Sequence, residues 1–215
     1  MVPQGWKDFY YLTAGKCSIA SYWRYSLFPS KRFHNALLHI GCGTHYIPEM
    51  VNVDGNLFQK KDLWLDVAFG LPFKAGSIRG VYISHVLEHF KSRTARKLLQ
   101  EFHRVLAPQG FVRIVVPSLE YAVEAYARGD PARLSEWPER YRSIGGRFHN
   151  FLLCANQHFT LLDFSFLEEL LTDAGFRNIV RRESRRSSRL SPEHLRFEPE
   201  EAPNDSSLYV ECEKP

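Results

Sequence analysis

Leu37 to Gly55 reads LLHIGCGTHYIPEMVNVDG, and the fold turns on this stretch. An apolar run, Ala36 to Ile40, gives way to two glycines around a cysteine, and a second apolar run, Met50 to Val53, ends on Asp54. Short apolar runs bounded by turn residues predict buried strands. Glycines directly after a strand let the backbone approach a ligand closely and turn amides toward an anion. The connection is the anomaly: only seven residues, Thr44 to Met50, separate Gly43 from Val51, and one of them is Pro48. The helix that ordinarily joins two parallel strands has almost no room, which disfavours a pyrophosphate cradled on a helix N-terminus.

Working outward, the chain keeps alternating. Leu63 to Leu65 reads as a weak third strand, Gly80 to Ser84 as a fourth and Phe111 to Pro117 as a fifth. In KSRTARKLLQEFHRVLAPQG the apolar residues Ala95, Leu98, Leu99, Phe102, Val105 and Leu106 recur at helical spacing, with a stop at Pro108 and Gly110. A second helix is expected from Leu119 through Ala127. A third is expected in SFLEELLTDAGF, with Ser165 as its cap and Gly175 as its left-handed end. Asn178 to Glu183 and Leu208 to Glu213 close the set as strands. Strands alternating with helices imply an α/β fold: a doubly wound, mostly parallel seven-stranded sheet with helices on both faces and a shortened first crossover. Residues 129–160, with Trp137, Tyr141 and a GGRFHN turn, break the alternation and read as an insertion. Residues 1–35 are rich in aromatics (Trp6, Phe9, Tyr10, Tyr11, Tyr22, Trp23, Tyr25, Phe28) and read as a cap on the domain formed by residues 36–215.

Composition excludes several classes. At 215 residues with 44% hydrophobic and 24% charged residues, the chain can bury a full core. Cys17, Cys42, Cys154 and Cys212 form no CxxC pair, which argues against a zinc ribbon or a secreted disulfide scaffold and for a cytoplasmic home. No apolar run approaches the roughly 20 residues that span a bilayer, and the N-terminus lacks a signal-peptide core. The net charge of +4 is concentrated in RRESRRSSR, Arg181 to Arg189. Such a run reads first as a solvated loop; it leaves room for weak peripheral contact with an anionic membrane and licenses no nucleic-acid partner.

Ligands of such sheets sit beyond the carboxyl ends of the strands. There the sequence offers Gly41, Cys42 and Gly43, then Asp54, whose carboxylate can accept both hydroxyls of a ribose. Asp66 follows, able to take an adenine amino group, with the Val67 amide for a ring nitrogen. Ser84 opens SHVLEHF, a dense set of polar groups at a strand end. Each signal alone is weak; their order and spacing carry the weight.

Together LLHIGCGTHYIPEMVNVDG, DVAFGLPFKAGSIRGVYISHVLEHF and EFHRVLAPQGFVRIVVPSLE resemble the class I S-adenosylmethionine-dependent methyltransferases, a Rossmann-like fold. The branch resembled is a short bacterial one found among surface-polysaccharide and secondary-metabolite genes. QHFTLLDFSFLEELLTDAGF and the closing SLYVECEKP are similar to it as well. The resemblance implies S-adenosylmethionine as cofactor, its methionine part on Gly41 and Gly43, ribose on Asp54, adenine on Asp66 and Val67, with Ser84 and His85 beside the methionine. Three features depart from the pattern: His39 stands where an acid is usual, APQG replaces a KPGG turn, and the first crossover is short. An NAD site fits less well, because position 46 is Tyr rather than Gly and Asp54 follows Gly43 by only 11 residues.

Methyl transfer needs alignment and, for a hydroxyl acceptor, a base. His85, Glu88, His89 and His158 are the candidates, His85 first, with His149 in reserve; the plain alternative makes His85 a helix cap. His85-Val-Leu-Glu88-His89 is also similar to the Glu-x-x-Glu-His metal ligands of small-RNA 2′-O-methyltransferases. LEH segments occur equally in metal-free methyltransferases, and the sequence assigns no metal. The expected activity is methyl transfer to an oxygen, in second place a nitrogen, of a glycan or small-molecule acceptor. The alternative is a methyltransferase-like binding protein without catalysis.

Overall fold

A computed structural model describes residue 13 and residues 16–28, 30–199 and 206–215. Trp6, Phe9, Tyr10 and Tyr11 of the expected cap lie outside the described residues. Seven strands form one sheet: β1 (Ala36–Ile40), β2 (Val51–Asp54), β3 (Leu63–Trp64), β4 (Ile78–Ser84), β5 (Leu106–Pro117), β6 (Arg177–Arg182) and β7 (Ser207–Glu213). Their order is β3-β2-β1-β4-β5-β7-β6, and β7 alone runs against its neighbours β5 and β6. The order reverses between β1 and β4, so a crevice opens at their carboxyl ends, where such sheets bind ligands.

The two faces are covered differently. On one, Leu38, Ile40, Val81, Ile83, Val112 and Ile114 meet the apolar stripes of α2 (Ser92–Val105) and α5 (Phe164–Asp173). Tyr22 and Tyr25 of α1 (Ile19–Leu27) pack on the same core, whereas Trp23 and Phe28 stay exposed. The opposite face buries Leu37, Tyr82, Phe111, Val115 and Tyr209 without any residue of an α-helix. Ile47 and Met50 from the short first crossover cover it, together with Leu190 and Leu195 from the segment between β6 and β7.

Two buried polar hubs hold these irregular covers. Asn52, fully buried in β2, accepts the Ile47 N–H at 2.9 Å and donates to the carbonyls of Ile47 at 2.7 Å and Met50 at 3.1 Å. Its side chain thus supplies the hydrogen bonds that a crossover helix would have supplied to itself. Arg113, fully buried in β5, donates through all five guanidinium N–H groups: to both oxygens of Glu198, to Glu211, and to the carbonyls of Glu183 and Arg186. The segment between β6 and β7 is therefore tied to the middle of the sheet.

Several local expectations change. α2 ends at Val105, before Pro108, and β5 begins at once: Leu106 pairs with Ile78, residues 107–110 bulge out, and pairing resumes at Phe111 with Gly80. The left-handed residue of that bulge is Gln109, φ 61°, not Gly110. Asp163, not Ser165, caps α5 by accepting the Phe166 N–H at 2.8 Å, and Ser165 donates to Asp163 instead. Gly175 does take a positive φ after that helix. GGRFHN is no turn but part of α4 (Ile144–Leu153). The Ser143 cap, accepting from Gly146 N–H, offsets the poor helix propensity of two glycines, and a Cβ on Gly146 would meet Tyr141 at 2.6 Å. α4 packs on α3 (Leu119–Ala127) through Tyr121, Ala125 and Phe151, so residues 129–160 sit beside the sheet with a small core of their own. The arginine run is largely taken up within the chain: Arg181, Arg182 and Arg189 pair with Glu120, Glu211 and Glu213.

Candidate active site

At the carboxyl ends of the strands lies a cavity of about 800 Å³, a size usual for small-molecule sites. Gly41, Asp54, Asp66, Val67, His85, Glu88, His89 and His158 all line it. Cys42, Gly43 and Ser84 do not contribute to its wall. Cys42 is buried behind the turn with its thiol 3.7 Å from the Lys60 carbonyl; burial, helped by Asp54, pushes its pKa up to about 12, so it stays a thiol. Ser84 ends β4, paired with Val115.

The glycine turn is shaped by close approach. Gly41 has φ 66°, and a Cβ there would sit 2.2 Å from a Val86 methyl, so any other residue would be strained and would have to displace Val86. Its amide and that of Cys42 both donate to the Val53 carbonyl, at 2.8 and 3.2 Å. Gly43 faces open space and donates its N–H to Asp54 Oδ2 at 2.7 Å. Asp54 Oδ1 accepts from Asn56 N–H at 2.6 Å. A carboxylate has about four lone-pair sites, so two hydroxyls can still be accepted. Asp66 caps the short turn Val67–Phe69 by accepting from Ala68 N–H at 2.9 Å, while its own amide donates to Ser18 Oγ at 2.9 Å. Ser18 immediately precedes α1, so the N-terminal helix is joined to the rim of the cavity. The Val67 amide is in the first turn of that short helix, where N–H groups lack intrahelical acceptors.

His39, in the place of an acid, is buried in β1 with Nδ1 3.2 Å from Asn52 Oδ1 and its ring over Tyr82. Burial lowers its pKa to about 4, so it is neutral and belongs to the Asn52 hub rather than the cavity wall.

Beyond β4 the chain strains and tightens. His85 adopts φ 53°, a left-handed conformation uncommon outside glycine and concentrated at functional sites. Its Nδ1 lies 3.4 Å from Glu88 Oε1 and its Nε2 3.3 Å from Ser207 Oγ. Half of the His85 side chain is exposed to the cavity, whereas Glu88 is 2% exposed. Neither Glu88 carboxylate oxygen has a hydrogen bond: the contact with His85 is close in distance but not aligned. The Glu88 carbonyl accepts from Phe159 and Thr160, at 2.8 and 3.2 Å, which fastens the end of the 129–160 segment over the strand ends. His89 and His158 stack edge-on at 5.0 Å. Burial first, then the neighbouring histidines, lowers the His158 pKa against the opposing pull of Glu88. His149 faces Tyr141 and is not part of the wall.

Sequence reasoning missed the wall supplied by the 129–160 segment: Ser135, Trp137, Asn150, Phe151 and Gln157. Asn150 is buried and donates to the carbonyls of Ser135 and Trp137, at 3.1 and 2.8 Å. No periodicity marks these residues. A buried Asn inside an apolar helix stretch, FHNFLL, was the one available signal.

Comparison with known proteins agrees with this fold. The family described as methyltransferase domain matches residues 22–180. No curated protein matches the chain. Among solved structures, a SAM-dependent methyltransferase from Archaeoglobus fulgidus is similar over 97% of this chain and 99% of its own, at 16% identity and TM-score 0.55. One from Thermotoga maritima is similar over 98% and 96%, at 14% identity and TM-score 0.54. A Haemonchus contortus phosphoethanolamine N-methyltransferase in complex with S-adenosyl-L-methionine is similar over the whole of this chain and 60% of its own, at 16% identity and TM-score 0.50. The family match spans most of the chain, and the chain belongs to the methyltransferase domain family, with the fold of SAM-dependent methyltransferases.

Proposed function

We propose that the cavity binds S-adenosylmethionine along the strand ends and transfers its methyl group to an oxygen of a glycan or small-molecule acceptor. The observation that carries this reading is the alignment of Gly41, Asp54, Asp66 and His85 along one cavity, one group from each of four successive strand ends. In it the methionine part lies against Gly41, with Gly43 behind it holding Asp54, the ribose hydroxyls donate to Asp54, and the adenine meets Asp66 and the Val67 amide. A sulfonium methyl held there would have His85, Glu88, His89 and His158 on the same cavity wall. Exposed Trp137 and Phe159 on the wall offer flat apolar surface to a sugar ring, which supports a glycan acceptor. No helix among the described residues is long and apolar enough to cross a membrane, and the cytoplasm is the compartment we assign.

Chemically the protein has little covalent work to do. S-adenosylmethionine brings the activated methyl; the chain orients it and excludes water. His85 is the proposed base. Glu88, beside its Nδ1, stabilises the imidazolium that forms when a hydroxyl proton moves to the ring. Thermal-shift measurement with S-adenosylhomocysteine tests the cofactor half of this reading, since a ligand of the native state raises its melting temperature. His85→Ala tests the other half: methyl transfer falls by a factor of about 10² or more while the cofactor-induced shift persists. Undiminished turnover would remove His85 from the role.

A further inference from the structure

The centre of the cavity wall is a cluster of groups that only accept. Glu88 is 2% exposed, and neither of its oxygens has a hydrogen-bond donor. His89 Nδ1 lies 3.1 Å from the Gln157 carbonyl, and His158 Nδ1 lies 3.1 Å from the Leu152 carbonyl. A carbonyl only accepts, so each Nδ1 carries the proton, and each Nε2 of the neutral rings presents a lone pair. His89 Nε2 is 4.0 Å from Glu88 Oε1, and one ligand atom from each of Glu88, His89 and His158 falls within 4.8 Å of the others. A buried carboxylate beside the His89 Nε2 lone pair, with no hydrogen-bond donor of its own, costs several kcal/mol unless a cation sits among them.

We infer that Glu88, His89 and His158 hold a divalent transition-metal ion. Two ligands of one ion stand at most about 4.2 Å apart, twice a ligand bond of about 2.1 Å. The His89–Glu88 pair already meets that limit, and small side-chain rotations bring in His158. The histidine Nδ1 bonds to main-chain carbonyls are the outer contacts that fix metal-binding imidazoles in one tautomer and orientation. Two imidazoles with one carboxylate suit Mn²⁺, Fe²⁺, Co²⁺ or Zn²⁺ over Mg²⁺, and they leave coordination positions open toward the cavity. An acceptor hydroxyl bound at an open position is acidified. Its proton passes to His85, its oxygen forms the new bond to the methyl carbon, and the carbon–sulfur bond breaks with its electron pair going to sulfur, which leaves neutral S-adenosylhomocysteine. That role for the ion rests on the proposed methyl transfer; the site itself does not.

The test uses the purified chain, stripped with a chelator and titrated with Co²⁺ and Zn²⁺ by calorimetry and, for Co²⁺, by visible absorption. One ion per chain is expected, with Co²⁺ absorption bands that Zn²⁺ abolishes by competition. His158→Ala weakens binding at least about tenfold, and the exposed His34→Ala leaves it unchanged. Glu88→Gln removes the site but raises the melting temperature of the ion-free protein, because it replaces an unpaired buried charge by an amide that can donate to the imidazoles. This opposite sign keeps a folding defect from imitating lost ligation. No saturable Co²⁺ or Zn²⁺ binding at millimolar concentration, or binding unchanged in both Glu88→Gln and His158→Ala, overturns the inference. S-adenosylhomocysteine binding is read on the same ion-free sample, so the cofactor reading and the metal site can fail separately.

Discussion

The Gly43 amide donates to Asp54 Oδ2 at 2.7 Å, joining the turn after β1 to the end of β2. One carboxylate thereby shapes the glycine turn and keeps lone pairs free at the cavity wall. With a first crossover of seven residues, no helix dipole is present to hold this turn, and Asp54 takes over part of that work.

Asp54→Ala is therefore expected to do two things at once. It removes acceptors from the Gly43 and Asn56 amides, lowering stability by about 1–3 kcal/mol, and it abolishes the thermal shift produced by S-adenosylhomocysteine. Differential scanning fluorimetry with and without the ligand separates the two. A retained shift would take Asp54 out of the ribose role.

Asn52 takes the place of a crossover helix. Asn52→Leu has nearly the same volume but leaves the Ile47 amide, the Ile47 and Met50 carbonyls and His39 without their partner. A loss of about 3 kcal/mol or more in chemical denaturation is expected, well above the effect of a surface substitution. A loss under about 1 kcal/mol would mean that the loop holds itself.

Arg113 ties the segment between β6 and β7 to the sheet face whose buried cluster, among the described residues, takes no residue from an α-helix. Arg113→Met leaves Glu198 buried without its cation and Glu211 with Arg182 alone, and should cost about 3–5 kcal/mol, while replacing Arg113 and Glu198 together by apolar residues of similar size should recover most of the loss. Limited proteolysis within residues 183–198 should accelerate in the single variant.

His39 supplies a pH dependence. Its folded pKa is lowered to about 4 from 6.5, chiefly by burial, so between these values the unfolded chain binds a proton that the folded chain does not. Stability gained from this group is complete above about pH 6.5 and is lost as pH falls toward 4, by about 3 kcal/mol in all. Urea denaturation across that window should show the slope, and His39→Gln should flatten it. An equal slope in the variant would assign the acid sensitivity elsewhere.

The strands, their mostly parallel arrangement and the long amphipathic α2 were legible because each rests on a local pattern: apolar runs between turns, strands alternating with helices, or a three-and-four spacing from Ala95 to Val105. The strand-end acids were legible for the same reason, since a strand's end is visible wherever its apolar run stops. Asn52 and Arg113 were not, because each works through partners far along the chain: Asn52 through Asp62 beyond the β2 turn, Arg113 through Glu198 and Glu211. The wall formed by Trp137 and Asn150 was hidden likewise, for nothing in its spacing says that α4 folds back over the strand ends. The cap at Asp163 was misread as Ser165 because both are good caps two residues apart, and the choice lies in which side chain reaches the Phe166 amide.

Isothermal titration of the purified chain with S-adenosylhomocysteine tests the central claim most directly. The account predicts saturable binding at one site per chain, competed by S-adenosylmethionine and not by NAD, since the amides of Gly41, Cys42 and Gly43 are taken up by Val53 and Asp54 and the short crossover supplies no helix N-terminus for a pyrophosphate. Absence of binding at millimolar ligand, or displacement by NAD, would contradict it.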